Sequence, residues 1–264
     1  PSGWRVSYMK VDEKFDFRKL FNEKDEFYWA KIEKLKKEYN IPLKLILQNY
    51  MSFIQKRDLS QLLAYYEIFK KVKHLPGSVA EVGVFMGNSL FTWTKLIETY
   101  FPNVRGKKVF GFDNFKGYDQ VTFDKDNKKS IDYIESLVGN FKVNYKLVNE
   151  LENLTNLDLT MPKFERVKIY NGELDLTFEE FKQENYGVRF KILVVDVNLY
   201  IPTKKALDFF YDLMIPGGCI LFRGYGVKPW EGESKAVDEF MKERNIKNKH
   251  SFDFSMYPSL YIIV

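Results

Sequence analysis

The stretch Ala80-Glu81-Val82-Gly83-Val84-Phe85-Met86-Gly87-Asn88-Ser89 decides the fold. It reads as the end of an apolar strand, a glycine turn and the opening of a helix. Glycine lets the backbone approach a ligand closely, and a helix N-terminus offers free N–H groups. The spacing differs from the G-x-G-x-x-G of dinucleotide binders, which weakens a nicotinamide or flavin reading. Glu81, beside the turn, suits the cationic amino group of an amino-acid-like cofactor. Taken alone, the ten residues also fit a plain strand-to-helix turn with an exposed Glu.

Downstream, short apolar runs at 79–84, 109–112, 167–170, 192–195 and 219–222 alternate with helical patterns near 90–100, 178–184, 203–214 and 234–243. Continuous apolar strands separated by helices predict a parallel sheet covered on both faces. Two closing strands are expected at 250–254 and 260–264. The fold class is therefore α/β: a Rossmann-like, mostly parallel, seven-stranded sheet over residues 75–264. Residues 117–165 are less regular, and a helix near 130–138 is a candidate lid or insertion. Upstream, residues 1–74 read as a helical extension. Leu62, Leu63, Tyr66, Phe69 and Val72 recur there at spacings of three and four, with Asp58 and Ser60 as candidate caps. That apolar stripe is expected to pack on the sheet domain or on a second copy of the chain.

Three further motifs fall at strand ends. Val109-Phe110-Gly111-Phe112-Asp113-Asn114-Phe115 places an acid some 30 residues after the glycine turn, where it can accept both ribose hydroxyls of a nucleoside. Val194-Val195-Asp196-Val197-Asn198-Leu199-Tyr200-Ile201-Pro202-Thr203 puts Asp196 at the same sheet edge. Gly217-Gly218-Cys219-Ile220-Leu221-Phe222-Arg223-Gly224-Tyr225-Gly226 delivers Arg223 there. In an open α/β sheet that edge holds the ligand crevice. Each motif alone is weak. A solvated strand-end Asp and a surface Arg are the bland alternatives. In this order on one sheet, the motifs make a nucleoside-bearing cofactor the best reading.

Composition sets the frame. The chain has 264 residues, 45% hydrophobic and 17% aromatic, with a net charge of +5. Its lysines are interspersed with acids, as on solvated helix faces, so no nucleic-acid partner is expected. No run reaches the roughly 18 apolar residues of a membrane span. Pro1 to Arg5 show no apolar run of the signal-peptide kind. Cys219 is alone, which fits a reducing cytoplasm.

Together with Tyr65-Tyr66-Glu67-Ile68-Phe69-Lys70, Pro76-Gly77 and Pro229-Trp230-Glu231-Gly232-Glu233 with Ala236, these motifs resemble the macrocin O-methyltransferase family. The family belongs to the class I S-adenosylmethionine-dependent methyltransferases, and its members methylate sugar hydroxyls. The resemblance runs from about Ser60 to the C-terminus. It implies that Glu81, Gly83 and Gly87 hold the methionine part of S-adenosylmethionine, and that Asn88, Ser89, Asn114 and Asp196 belong to the same cofactor site. It implies that Asp113 holds the ribose, and that Gly172 and Glu173 lie near the adenine. The acceptor it implies is a small hydroxylated compound, such as a sugar or an anionic nucleotide sugar.

The departures concern Mg²⁺, which family members bind through the acid at 196 and an acidic pair after the fifth strand. That pair reads Arg223-Gly224 here. A second acid after the fourth strand reads Asn198, and the usual Glu before Pro-Thr reads Ile201. A hard cation wants several oxygen ligands, carboxylates among them. One carboxylate beside a guanidinium is a poor set, so no metal ligand is expected. Methyl transfer to a hydroxyl also needs a base. Only His74 and His250 exist, and neither is expected in the crevice, so Asp196 is the candidate base with Arg223 beside it. Tyr200 and Tyr225 are candidate polar partners. The stripped acidic set leaves an alternative function open: a catalytically degenerate methyltransferase-fold protein with a binding or regulatory role.

Overall fold

The computed structural model describes residues 17–118, 126, 132, 142–161 and 164–264. They fall into two compact units divided between Lys56 and Arg57. The first holds helices α1 (Phe17–Glu38) and α2 (Leu43–Gln48). Within it, the Tyr28 hydroxyl donates to the carbonyls of Phe53 (3.0 Å) and Ile54 (3.2 Å), tying α1 to the segment after α2.

Helix α3 (Lys56–Val72) opens the second unit, so it belongs with the sheet. Its buried stripe is Gln61, Ala64, Tyr65, Ile68, Phe69 and Val72. The expected stripe was partly out of phase, because Leu63 is 45% exposed. Two residues that look polar are inside instead. The ring of Tyr65 packs on Trp93 at 4.9 Å, and its hydroxyl accepts from Gln61 Nε2 at 2.7 Å. Asp58 and Ser60 lie inside the helix rather than at its cap, and Ser60 Oγ donates back to the Arg57 carbonyl.

The sheet contains β1 (Ser78–Val82), β2 (Val109–Asp113), β3 (Val167–Asn171), β4 (Phe190–Val195), β5 (Met214–Phe222) and β6 (Leu260–Ile263). Its order is β3-β2-β1-β4-β5-β6, parallel except for the antiparallel β5/β6 pair. Among the described residues it has six strands. The seventh, expected at 250–254, shrinks to one bridge between His250 and Tyr261. The segment between spends its polar groups on its own turn: Ser255 Oγ donates to the Tyr257 carbonyl, and Pro258 has no N–H to give.

Strand alternation sorts the core into two layers. Val82, Phe112, Tyr170, Val195 and Phe222 face helices α6 (Leu174–Glu184), α7 (Tyr200–Phe210) and α8 (Glu231–Glu243). Val79, Val109, Val167, Ile192 and Leu221 face α3, α4 (Asn88–Tyr100) and α5 (Tyr145–Leu157). Helix α5 falls where an irregular lid was expected, and it has a structural task. Strand β3 is an edge, with N–H groups needing partners. Glu152 Oε1 accepts from Ile169 N at 3.0 Å, and Asn156 Oδ1 accepts from Val167 N at 3.1 Å. The helix expected at 130–138 lies, apart from Asp132, outside the described residues.

Candidate active site

The chain winds outward in one direction from β1 to β3 and in the other from β4 to β5, so its topological switch lies between β1 and β4. A crevice must open there beyond the carboxyl ends of the strands. A cleft of about 590 Å³ occupies that place, lined by residues from the ends of β1 to β5.

The glycine turn shapes its floor. Gly83 has φ 92°, and a Cβ there would come within 2.0 Å of the Asp196 carbonyl oxygen, so no side chain fits. Gly87 caps α4 at φ 79°. Asp113 latches this turn from the next strand. Its Oδ2 accepts from the amides of Val84 and Phe85, both at 2.8 Å, and its Oδ1 accepts from Phe115 N at 2.7 Å. The acid expected to meet a ribose is thus first a keystone of the backbone, with one acceptor site left on Oδ1 for a ligand.

Gly83, Asn88, Ser89, Asp113, Asn114, Gly172, Glu173, Asp196 and Arg223 all line the cleft. Asn114 Nδ2 donates to Glu173 Oε1 at 3.3 Å, joining the ends of β2 and β3. Glu81 and Gly87 are not among the lining residues. Glu81 points into the layer under α3 and α4 and is fully buried. Ser89 Oγ donates to its Oε1 at 2.7 Å, while its Oε2 has no partner. An orphaned carboxylate oxygen beneath a ligand turn suits the amino-acid end of S-adenosylmethionine, through Ser89 or a bridging water. Burial pushes this carboxyl up to about 8, against the pull of Ser89.

Asp196 and Arg223 form the other end of the site. Arg223 Nη1 lies 3.3 Å from Asp196 Oδ2, and the guanidinium stacks over Tyr257 at 4.6 Å. Burial raises the Asp196 carboxyl above its ordinary range, while Arg223 opposes the shift. Tyr118, Trp230 and Tyr257 add aromatic walls, and Lys205, paired with Asp175 at 2.6 Å, stands at the rim. Sequence reading missed these four. Nothing in their local pattern separates them from packing or surface residues. Neither histidine lines the cleft: His74 is exposed, and His250 stacks on Tyr261. Tyr200 and Tyr225 are not lining residues either; their hydroxyls donate to Glu239 and Asp238.

A further residue given no role from the sequence is Glu233 of α8, fully buried, with its Oε1 accepting from Gly224 N (2.8 Å) and its Oε2 from Asn198 N (3.0 Å). Burial raises it to about 8. The residues around Asp196 do not fit a hard divalent cation. Asp196 faces a guanidinium, and both Glu233 oxygens are committed to amides. Among the described residues, no group of three His, Cys, Asp or Glu is placed to hold a metal.

These buried acids fix a pH dependence. Glu81 and Glu233 titrate near 8 in the folded chain against about 4.5 normally, and Glu152 near 7. A raised carboxyl leaves full stability below the unfolded value and removes it as pH rises through the folded one. Lys191, lowered to about 7, acts oppositely only above that point. The urea midpoint is therefore expected to fall from pH 5 to pH 7. A flat or rising midpoint would contradict these burials.

The switch-point cleft, the glycine turn and the strand-end acid together define a Rossmann-like methyltransferase. The chain belongs to the macrocin-O-methyltransferase (TylF) family, whose model matches residues 46–253. Among solved structures it is similar to the calicheamicin methyltransferase CalS11, at 20% identity over 91% of this chain and 92% of that one, with a TM-score of 0.76. An apo structure of CalS11, described as a TDP-rhamnose 3′-O-methyltransferase, gives 20% identity, coverage of 91% and 94%, and 0.68. The O-methyltransferase NovP gives 20%, 78% and 79%, and 0.62. At these identities the neighbours show the fold. No curated protein matches the chain. Family membership makes the protein an S-adenosylmethionine-dependent O-methyltransferase.

Proposed function

We propose that the protein methylates a hydroxyl of a sugar or nucleotide sugar without a divalent cation. The observation that carries this is one continuous cleft running from the latched glycine turn to the Asp196–Arg223 pair. When bound, S-adenosylmethionine supplies an electrophilic methyl on sulfur. The chain's own residues do the rest. Gly83, Asn88 and Ser89 seat the amino-acid end, and Asp113, Asn114 and Glu173 the nucleoside. Trp230, Tyr118 and Tyr257 offer faces on which a sugar ring can rest. Asp196 takes the hydroxyl proton as the new C–O bond forms. Arg223 steadies the ionised Asp196, and its forked donors suit a phosphate of the acceptor. The remaining work is alignment, with the reacting atoms held about 3–3.5 Å apart. The buried Cys219 supports a reducing, cytoplasmic setting.

The test is mass spectrometry of nucleoside diphosphate sugars, TDP-rhamnose among them, incubated with the protein and methyl-labelled S-adenosylmethionine. A labelled O-methyl sugar is expected. Transfer only to proteins or nucleic acids, or S-adenosylhomocysteine binding without transfer to any sugar, would defeat the proposal; the latter would favour a binding role.

A further inference from the structure

We propose that Glu233 is a positioning residue for methyl transfer, clamping the two loops that present Asp196 and Arg223. The inference rests on the methyltransferase reading of the cleft. Glu233 sits in the first turn of α8, where a glutamate ordinarily faces water and complements the helix dipole. Here it is fully buried, and its two oxygens reach different loops. Asn198 N, two residues beyond Asp196, donates to one oxygen, and Gly224 N, next to Arg223, donates to the other. One carboxylate thus ties the end of β4 to the end of β5 directly beneath the ion pair.

Two features show that the chain is shaped around this carboxylate. Asn198 adopts a left-handed backbone, φ 60°, a conformation that asparagine tolerates better than other side-chain-bearing residues, and this turn aims its amide at Glu233. Tyr118 steadies the same turn, donating to the Val197 carbonyl at 2.9 Å while accepting from Asn198 Nδ2 at 3.3 Å. Gly224 is the second feature. A Cβ there would stand 2.9 Å from Glu233 Oε2, 2.9 Å from Asn198 Oδ1 and 3.1 Å from the Trp230 Cβ. A side chain at 224 would press on the Glu233 carboxylate as well as on Asn198 and Trp230, so one of them would have to shift. The carboxylate enters from the helix into the space that a glycine leaves open. Releasing it frees both loops, and displacements near 1 Å in a reacting pair can cost about a hundredfold in rate. The cofactor contacts lie at the ends of β1 to β3, away from the two clamped loops, so cofactor affinity is expected to change little.

The test uses the full chain and Glu233→Gln, which keeps the volume but turns an N–H donor toward one of the two amides. Three readings are taken: S-adenosylhomocysteine affinity by calorimetry, amide exchange at Asn198 and Gly224 by NMR, and kcat with an unmethylated nucleotide sugar that the parent protein methylates, TDP-rhamnose being tried first. Expected are an affinity within about twofold, exchange faster by about tenfold or more at both amides, and kcat lower by about 10- to 100-fold. Unchanged exchange or an unchanged kcat overturns the proposal, as does a cofactor affinity that falls in step with kcat. Gly224→Ala, made alone and with Glu233→Ala, serves if the glutamine variant does not fold. The clamp predicts that alanine at 224 disrupts less when Glu233 is absent; equal disruption in both backgrounds overturns it. Should no sugar be methylated, the reading of the cleft fails, while the exchange rates still decide whether Glu233 holds the loops.

Discussion

Asp196→Asn is expected to lower kcat by roughly 10²–10⁴-fold, the range for loss of a positioned general base. S-adenosylhomocysteine binding should change far less, because Asp196 sits at the acceptor end. The carboxylate lines the cleft 3.3 Å from Arg223 and carries a raised proton affinity, so it can accept a proton that an ordinary surface Asp would refuse. A purely structural ion pair predicts something different. In that case Asp196→Asn with Arg223→Gln, which leaves no unpaired charge, should recover most of the lost rate. The base role predicts that the double variant stays as slow as the single one. Activity should also fall as pH drops through the raised value of Asp196, since the base is then protonated.

Asp113→Ala should weaken S-adenosylhomocysteine binding by about a hundredfold or more. The loss has two sources. Any bond to the ligand disappears, and three backbone amides, Val84, Phe85 and Phe115, lose their acceptor. A hydrogen bond to a charged group is worth about 1.5–3 kcal/mol, and a change of about 1.4 kcal/mol is a factor of ten in affinity. Loss of one such bond is thus worth about 10- to 140-fold, and the loosened turn adds to it. Asp113→Asn should fall in between, since its amide can accept from only one side. Calorimetry on folded protein decides it; an affinity within threefold of the parent would mean that the latch is dispensable.

Much of this arrangement is legible in the sequence, and the reasons are physical. The five parallel strands read clearly because burial on both faces makes each a largely apolar run, as in Ile192–Val195. The acids at 113 and 196 read clearly because strand ends in a parallel sheet share one edge. What stays hidden depends on long-range partners. Helix α5 carries Glu152 and Asn156, whose task appears only once β3 is known to be an edge. Glu81 reads as a ligand residue from its position in the motif, yet strand alternation turns it under α4 toward Ser89. Tyr65 reads as a mid-helix tyrosine, and only the fold shows it buried, with burial pushing its hydroxyl to about 12. Glu233 resembles a favourable first-turn acid, and its burial follows from contacts with residues 198 and 224. A seventh strand fails because 251–259 is rich in turn-forming residues, with Ser255 turned onto Tyr257 and Ser259 tied back to Phe222.

The central claim is that an Asp–Arg pair does the acceptor-side work without a divalent metal. The direct measurement is the initial rate of methyl transfer to a nucleotide sugar after exhaustive EDTA treatment, compared with the same protein given excess Mg²⁺. Equal rates in the two, with Arg223→Ala slower in both, are the result predicted here. A rate abolished by EDTA and restored by Mg²⁺ would contradict it.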